Sequence, residues 1–257
     1  MKLAGPILSK SLVAAIAIIS IVAFLWPLLV GSASPDQSRV AQSTFMVLMP
    51  VLIGLMLVAV GSRELNSRQI AVLGVFIALN SVVRMLGAGT AGIETIFFLI
   101  LIGGYALGTS FGYLVGAGSL LVSALLTGGF GPWLPFQMMA AGLLGFLAGA
   151  LPHPRRRWAQ LAWLSAFGLL GAYLYGGLMT MWNWPYLAGQ GGALGYVPGA
   201  SVFENLVRFF NFELVTGGLL WDTGRAVTTL VLLWLTAPAL LATLSRVARR
   251  AGFENAK

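Results

Sequence analysis

Side chains that could do chemistry are rare in this sequence, and several stand inside apolar segments. Asn80 and Arg84 are one helical turn apart, and Asp222 and Arg225 are three residues apart in a later segment. Arginine pairs with carboxylates and phosphates, and amides both donate and accept hydrogen bonds. Polar groups inside long apolar segments of this kind usually face a cavity or a partner. In the alternative interpretation, Arg84 snorkels to lipid headgroups, and Asp222 and Arg225 form a self-contained structural ion pair, which is the favoured interpretation for that pair.

The motifs of catalysis are absent from the sequence. The single histidine, His153, lies in the basic turn LPHPRRRW with no carboxylate nearby in the sequence. HExxH, GxSxG and GxxxxGK[ST] motifs do not occur, and the chain has no cysteine to bind a metal or form a disulfide. We therefore predict a protein that is not an enzyme, with no metal site, no cofactor and no ATP hydrolysis through a phosphate loop of its own.

The elements that carry these side chains are predicted to be membrane helices. The chain is 58% hydrophobic and 9% charged, whereas soluble domains carry about 25% charged residues. About 20 apolar residues span a bilayer as a helix, which predicts eight helices. Their ranges are 11–31, 43–61, 69–87, 93–107, 109–127, 134–151, 158–181 and 217–245. The first resembles a signal peptide that could be cleaved before GSASPDQS, but its length and its Trp26–Pro27 pair favour a retained helix.

The distribution of charge predicts how the chain is oriented. With eight helices and a cytoplasmic N-terminus, 11 of the 15 lysines and arginines fall in cytoplasmic segments and 4 fall outside, as the positive-inside rule requires. Both termini are then cytoplasmic, and the net charge of +8 reflects orientation rather than nucleic-acid binding. Most acidic residues fall in the outer half, so we expect any binding site to open outward.

Aromatic and amide side chains concentrate in the outer connections. In TGGFGPWLPFQMMAAGLLG (127–145), glycines and prolines form a rigid corner that places Trp133 at a rim and directs Gln137 towards a pocket. MWNWPYLAGQGG (181–192) is interpreted as a glycine-rich loop, either a lid over a pocket or part of the interfacial aromatic belt. SVFENLVRFFNFEL (201–214) is an amphipathic helix in the interface, with Glu204 and Arg208 at i,i+4. The candidate substrate contacts are Asn80, Arg84, Glu94, Trp133, Gln137, Trp182, Asn183, Trp184, Tyr186, Arg208, Asn211 and Trp221.

Small residues recur at helical spacing in two places. Gly104, Gly108, Gly112 and Gly116 fall four apart, and Gly145 and Gly149 repeat that spacing. Such stripes let helix backbones approach closely, and packing inside one bundle is the favoured interpretation. Ala71, Gly74 and Ala78 form a similar stripe in segment 69–87, which could equally accept a helix from another subunit.

Three stretches resemble the substrate-binding S components of energy-coupling factor (ECF) vitamin transporters, in particular the longer S components of actinobacteria. They are RQIAVLGVFIALNSVVR (68–84), GGYALGTSFGYLVGAGSLLVSALLTGG (103–129) and GPWLPFQMMAAGLLGFLAGALP (131–152), and the closing 221–253 also fits. The resemblance implies an all-α, six-helix substrate-binding domain at 67–250. The two helices within 1–66 are then an N-terminal extension with no counterpart in the six-helix pattern, and 251–257 is a cytoplasmic tail.

The same resemblance implies partners and a mechanism. An S component in the bacterial cytoplasmic membrane binds a vitamin-like molecule from outside, under the loop that follows its first core helix. It then topples in the membrane to deliver the molecule inward. A transmembrane coupling (T) subunit would dock on Ala71, Gly74 and Ala78, where GxxxA (74–78) replaces the family's more usual AxxxA. Two cytoplasmic ATPases would drive the cycle.

The substrate itself stays open at this point. Tryptophans suit a planar ring, amides suit a heteroaromatic edge, and Arg84 or Arg208 could hold a carboxylate or phosphate. A flavin, a pterin, a thiamine precursor and a corrinoid all meet these requirements. Two rival classes are a structural or assembly subunit of another membrane complex and, with less support, an intramembrane enzyme that uses Glu94, Asp222 or His153.

Overall fold

Helices make up nearly all of the part of the chain that the structure describes. The computed structural model describes residues 15, 18–29, 47, 51, 53–54, 65–87, 90–188 and 192–253. From residue 65 onwards the helices are α1 (Ser67–Gly87), α2 (Phe97–Leu107), α3 (Thr109–Thr127), α4 (Trp133–Gly149), α5 (Arg157–Leu187), α6 (Val202–Thr216) and α7 (Gly218–Ala251), with a 3-10 turn at Thr90–Gly92. No strand occurs in these described ranges. The predicted all-α class is confirmed.

Six of these helices match the predicted membrane segments of the core. Four of them, α1, α3, α5 and α7, are long and apolar enough to cross a bilayer, and α2 and α4 are shorter apolar helices. The prediction for the N-terminal helix 43–61 and for much of 11–31 lies outside the described residues. A described helical stretch there, Trp26–Leu29, contacts α5 because the Trp26 indole donates to the Trp182 carbonyl.

Helix α2 is the centre of the bundle. Ten of its eleven residues, FFLILIGGYAL, are buried, as expected for a helix that is apolar on every side. It packs against α3, α4, α5 and α7. Eleven residues are about 16 Å long at 1.5 Å per residue, roughly half of a hydrocarbon core. Gly108, at φ 110°, is the single residue between α2 and α3, a conformation open to glycine because it has no Cβ.

Glycines let α2, α3 and α4 touch through their backbones. An added Cβ at Gly112 would overlap the backbone of Gly145, and one at Gly145 would overlap that of Gly112. Gly104 faces the same Gly145 carbonyl, and Gly116 faces the carbonyl of Ala141. The predicted packing of these glycines inside one bundle is therefore confirmed.

The two ends of the bundle differ in composition. At one end, α1 begins beside the end of α7, where the Asn66 amide donates to the Ala251 carbonyl and the Arg68 guanidinium to the Arg250 carbonyl. His153 lies at this basic end too, stacked on Tyr105 at 4.2 Å. The opposite end holds the α3–α4 corner and the connection from α1 to α2. By the charge distribution, the basic end is predicted to face the cytoplasm and the other end to face outward.

Candidate functional site

A cavity of about 440 Å³ opens at the end of the bundle opposite the arginine-rich turns. This volume lies in the range of about 300–1,000 Å³ that is typical of small-molecule sites. Met85, Ile96, Leu120 and Met179 supply an apolar wall. The polar part of the lining comes from Arg84, Glu94, Thr95, Thr127, Gln137, Tyr175 and Arg225.

The short central helix explains why there is space here. Because α2 is only eleven residues long, its neighbours extend past its N-terminus. The residues just before α2, Glu94, Thr95 and Ile96, form part of the cavity lining. The Thr95 hydroxyl donates to the Val83 carbonyl of α1, which holds this connection against the bundle. The shortness of α2, which its sequence determines, therefore leaves space for the cavity beyond its N-terminus.

An ion-pair cluster lies along one side of the cavity. The Arg225 Nη2 is 2.7 Å from Glu94 Oε1, and its Nη1 pairs with the Asp222 carboxylate. The guanidinium also lies over the rings of Tyr175 and Phe97, at 5.0 and 5.7 Å from their centroids. Two carboxylates and two aromatic faces thus surround one buried cation, which offsets the cost of placing it in the bundle.

A glycine on α5 makes room for this cluster. An added Cβ at Gly176 would overlap the Asp222 carboxylate. A further acid, Glu213, is 3% exposed on α6. Burial raises the pKa of the Glu213 carboxyl, against smaller lowering contributions from the Thr180 hydroxyl and the Arg225 charge.

Arg84 lies apart from this cluster, on α1. Its Nη1 donates to the Ser123 hydroxyl of α3 at 2.8 Å, and it lines the same cavity as Tyr175. No acidic side chain forms an ion pair with it in the described ranges. The cavity thus contains one paired arginine and one arginine without a carboxylate.

Three of the predicted contact residues line the cavity, namely Arg84, Glu94 and Gln137. Two more lie beside it. Trp221 donates weakly to Glu94, at 3.4 Å from Nε1 to Oε1. Asn80 is fully buried one turn from Arg84, and neither its amide nitrogen nor its amide oxygen has a hydrogen-bond partner among the described residues. The cavity therefore unites predicted residues from α1, the α1–α2 connection and α4.

The other predicted contacts do not line this cavity. Trp133 is the first residue of α4, 45% exposed, with its ring over Gly131. Arg208 pairs with Glu204 at 3.0 Å, as predicted from their spacing, and also donates to the Gly192 carbonyl. Asn211 is exposed on the same helix α6.

The prediction of a loop at 181–192 is wrong for its first half. Helix α5 continues through Pro185 to Leu187, so Trp182, Asn183, Trp184 and Tyr186 are helical. Trp182 stacks on Phe136 at 4.0 Å and is 5% exposed. Trp184 is fully buried and donates to the Leu194 carbonyl. Packing of these rings stabilises helix where glycines, a proline and an asparagine had indicated a loop.

Four polar residues that line the cavity, Thr95, Thr127, Tyr175 and Arg225, were not among the predicted contacts. Arg225 was interpreted mainly as the partner of Asp222; that pair exists, but the link to Glu94 joins residues 131 positions apart. Tyr175 lies in an apolar helix with no polar neighbour to mark it. Its one signal is the adjacent Gly176, which opens space beside a buried carboxylate.

The predicted docking stripe lies away from the cavity lining. Ala71, Gly74 and Ala78 are all exposed on α1, and a Cβ added at Gly74 would meet no atom within 4 Å. The opposite face of α1, with Leu73, Asn80 and Ser81, is buried in the bundle. These small residues are therefore not used for packing inside the described part of the chain.

Among the residues that the structure describes, no group of three or more histidines, cysteines, aspartates or glutamates could hold a metal ion. In comparisons with known proteins, the family model described as "ECF transporter, substrate-specific component" matches residues 68–242. No curated protein and no solved structure matches the chain. The matched region runs from the first turn of α1 into the second half of α7 and includes every residue that lines the cavity.

Proposed function

The chain belongs to the family of ECF transporter substrate-specific components, and from this premise we propose that it captures a vitamin-like small molecule from outside the cell. The observation that carries the proposal is the cavity of about 440 Å³ in the matched region. It combines an apolar wall with a few polar groups, the combination that fixes the orientation of small ligands. The six apolar helices of residues 67–250 form the proposed substrate-binding domain.

The capture step is proposed to depend on the connection between α1 and α2. This connection closes one side of the cavity and is held to α7 by the Glu94–Arg225 ion pair. Gly92 supports the same contact, since an added Cβ there would overlap the Trp221 carbonyl. A substrate that enters from outside would therefore be enclosed by this connection and would have to pass it to leave again.

Delivery is proposed to occur by toppling of the whole bundle, driven by two ATPases through a coupling subunit that docks on Ala71, Gly74 and Ala78. Reorientation in a bilayer is costly for unpaired charge. The charge of Arg225 is already compensated by its ion pairs with Glu94 and Asp222. The exposed side of α1 is almost free of charge beyond its first turn, which suits both contact with lipid and contact with a partner helix.

The first test asks whether the cavity holds a small molecule at all. We expect the purified chain to retain a stoichiometric small molecule that mass spectrometry detects after extraction. Thr127→Trp would place a large ring into the cavity, whereas Leu126→Trp changes a neighbouring residue that is 56% exposed. The first variant should lose the compound by at least about tenfold, and the second should keep it. A compound bound equally by both variants would place its site elsewhere.

The second test separates energised delivery from passive passage. Once the retained compound is identified, its uptake is measured in lipid vesicles that contain the chain with or without the coupling subunit and ATPases. Uptake is expected only in the complete complex with ATP. Equal uptake by the chain alone would contradict the energised mechanism. A chain that retains nothing, and whose transport partners still require it, would instead fit a structural subunit.

A further inference from the structure

Arg84 is the cation of the cavity that lacks a carboxylate. A guanidinium carries five N–H donors, and the described residues accept one hydrogen bond from it, at the Ser123 hydroxyl. Arg225, on the other side of the same cavity, is surrounded by Glu94 and Asp222. The two arginines share a cavity but differ in charge compensation, because the acidic partners found among the described residues pair with Arg225.

The direction of the Arg84 side chain argues against simple snorkelling. An arginine that reaches for lipid headgroups directs its guanidinium away from the bundle. The guanidinium of Arg84 instead contacts Ser123, which is fully buried between α1 and α3. Arg84 also lines the cavity, together with Tyr175 of α5. The Arg84 side chain is therefore held against the bundle and forms part of the cavity wall.

We propose that the substrate carries one anionic group, a carboxylate or a phosphate, and that this group pairs with Arg84. This inference rests on the proposed function, since it describes the molecule that the cavity captures. The anion would supply the charge and the acceptors that Arg84 lacks in a membrane-spanning helix. The same pairing would leave no uncompensated arginine in the cavity during reorientation of the loaded bundle.

The rest of the lining limits the other parts of the molecule. Met85, Leu120 and Met179 offer an apolar wall, and the Gln137 amide offers one donor and one acceptor group. On the far side, Arg225 is already paired, so it has no charge to give to a second anionic group. The site thus fits a molecule with a single anionic end, an apolar or planar body and a neutral polar end. Arg208, the other arginine considered for this role, is paired with Glu204 and does not line the cavity.

The test compares the compounds that co-purify with four versions of the full chain in nanodiscs of neutral lipid. These are the wild type, Arg84→Gln, Arg84→Lys and the control Arg249→Gln, which removes an exposed arginine at the basic end. Mass spectrometry in both ion modes identifies each retained compound and any retained lipid. The wild type should retain a water-soluble compound with one carboxylate or phosphate. Loss of a charge-assisted hydrogen-bonded pair weakens binding by about 10- to 100-fold, so Arg84→Gln should lose the compound by that factor.

Arg84→Lys should keep more of the compound than Arg84→Gln, because the positive charge remains. Arg249→Gln should behave as the wild type. A second measurement needs no mutation: the retained compound and its version with the anionic group masked, an amide or an ester, are compared for binding to the wild type. The masked version should bind at least about tenfold more weakly.

Several outcomes would overturn the inference while leaving the proposed function intact. One is a retained compound that is neutral or cationic, and another is a compound that Arg84→Gln binds as well as the wild type. Retention of an anionic phospholipid at Arg84 in place of a soluble compound would assign the arginine to the membrane. A wild-type chain that retains no compound at all would contradict the proposed function, and the inference would fall with it.

Discussion

Two sets of small residues in this molecule look alike in sequence and differ in what they face. The glycine seam, defined as Gly104, Gly112, Gly116 and Gly145, joins α2, α3 and α4, and an added Cβ at each position would overlap backbone atoms. The α1 stripe, defined as Ala71, Gly74 and Ala78, is exposed, and Gly74 has open space around it. Within one helix, both sets show a spacing of three or four residues, at Gly112 and Gly116 on α3 and along the α1 stripe, which places small side chains on one face of the helix.

The difference separates two uses of the same pattern. In the glycine seam, the lack of side chains lets three helices of one chain approach closely, and the backbones of those helices already fill the space beside each glycine. On the α1 stripe, the small side chains leave a shallow face, and no described part of the chain packs against it. In membranes, where lipid tails are as apolar as leucine, close backbone packing is a main source of helix association. The α1 stripe therefore fits a partner helix, which is the proposed coupling subunit.

The largest expected effect is in the glycine seam. Gly112→Ala would force α3 away from the Gly145 backbone of α4 and disturb α2 as well. We expect the free energy of unfolding to fall by about 3 kcal/mol or more, at the upper end for overpacked cores. Thermal unfolding and the yield of monodisperse protein in detergent measure the effect. An unchanged melting temperature would mean that the backbones are not in contact.

A smaller loss is expected where a glycine faces a side chain rather than a backbone. Gly176→Ala would push the Asp222 carboxylate away from Arg225, at a cost of about 2 kcal/mol. Because a side chain can rotate, the cost should stay below that of Gly112→Ala. In the background Asp222→Ala, the substitution at Gly176 should become nearly neutral. Equal costs with and without Asp222 would contradict this explanation.

For the α1 stripe, the expected effect is on transport rather than stability. Gly74→Leu would fill the shallow face of α1, where an added Cβ meets no atom within 4 Å. The melting temperature of the isolated protein should be unchanged, while its capture by the coupling subunit should fall about tenfold, or about 1.4 kcal/mol. Co-purification with the coupling subunit measures this. Normal capture combined with normal transport would remove the α1 stripe from the proposed interface.

The smallest expected effect is a slight gain in stability. At Gly177, in the middle of α5, an added Cβ meets no atom within 4 Å. Gly177→Ala should raise the free energy of unfolding by up to about 1 kcal/mol, because alanine is the better helix former. It serves as the matched control for Gly112→Ala, since both add one methyl group to a helical glycine. A large loss at Gly177 would show that contact with the backbone is not what distinguishes the two sites.

The helices themselves were largely predictable. Segment 109–127 matches α3 at both ends, and 69–87 differs from α1 by two residues at its start. These segments are apolar, of membrane length and bounded by glycine or charge, so local sequence suffices. Helix α5 was predicted to end at 181 and ends at Leu187. Its last turns are stabilised by rings from α4 and from the chain around Tyr196, which local sequence does not report.

The candidate site was predictable only where its residues stand out against apolar surroundings. Arg84 and Glu94 are charges at the ends of membrane segments, and Gln137 follows a proline at the start of a helix. Arg225 was visible too, but its neighbour Asp222 provided a sufficient local partner and hid the contact with Glu94. Trp182 and Trp184 carried a strong aromatic signal that packing, not the cavity, explains.

By itself, the sequence determined the membrane class, the helical period, the polarity of the two ends and the family. Those properties depend on composition and on neighbours within a few turns of helix. Only the tertiary structure decided which small residues have other helices packed against them, which arginine is paired with carboxylates and where the cavity lies. Those properties depend on groups far apart in the chain, such as Gly112 with Gly145 and Glu94 with Arg225. Spacing in the sequence indicates that one face of a helix carries small or charged residues, whereas the packing of the helices determines what lies against that face.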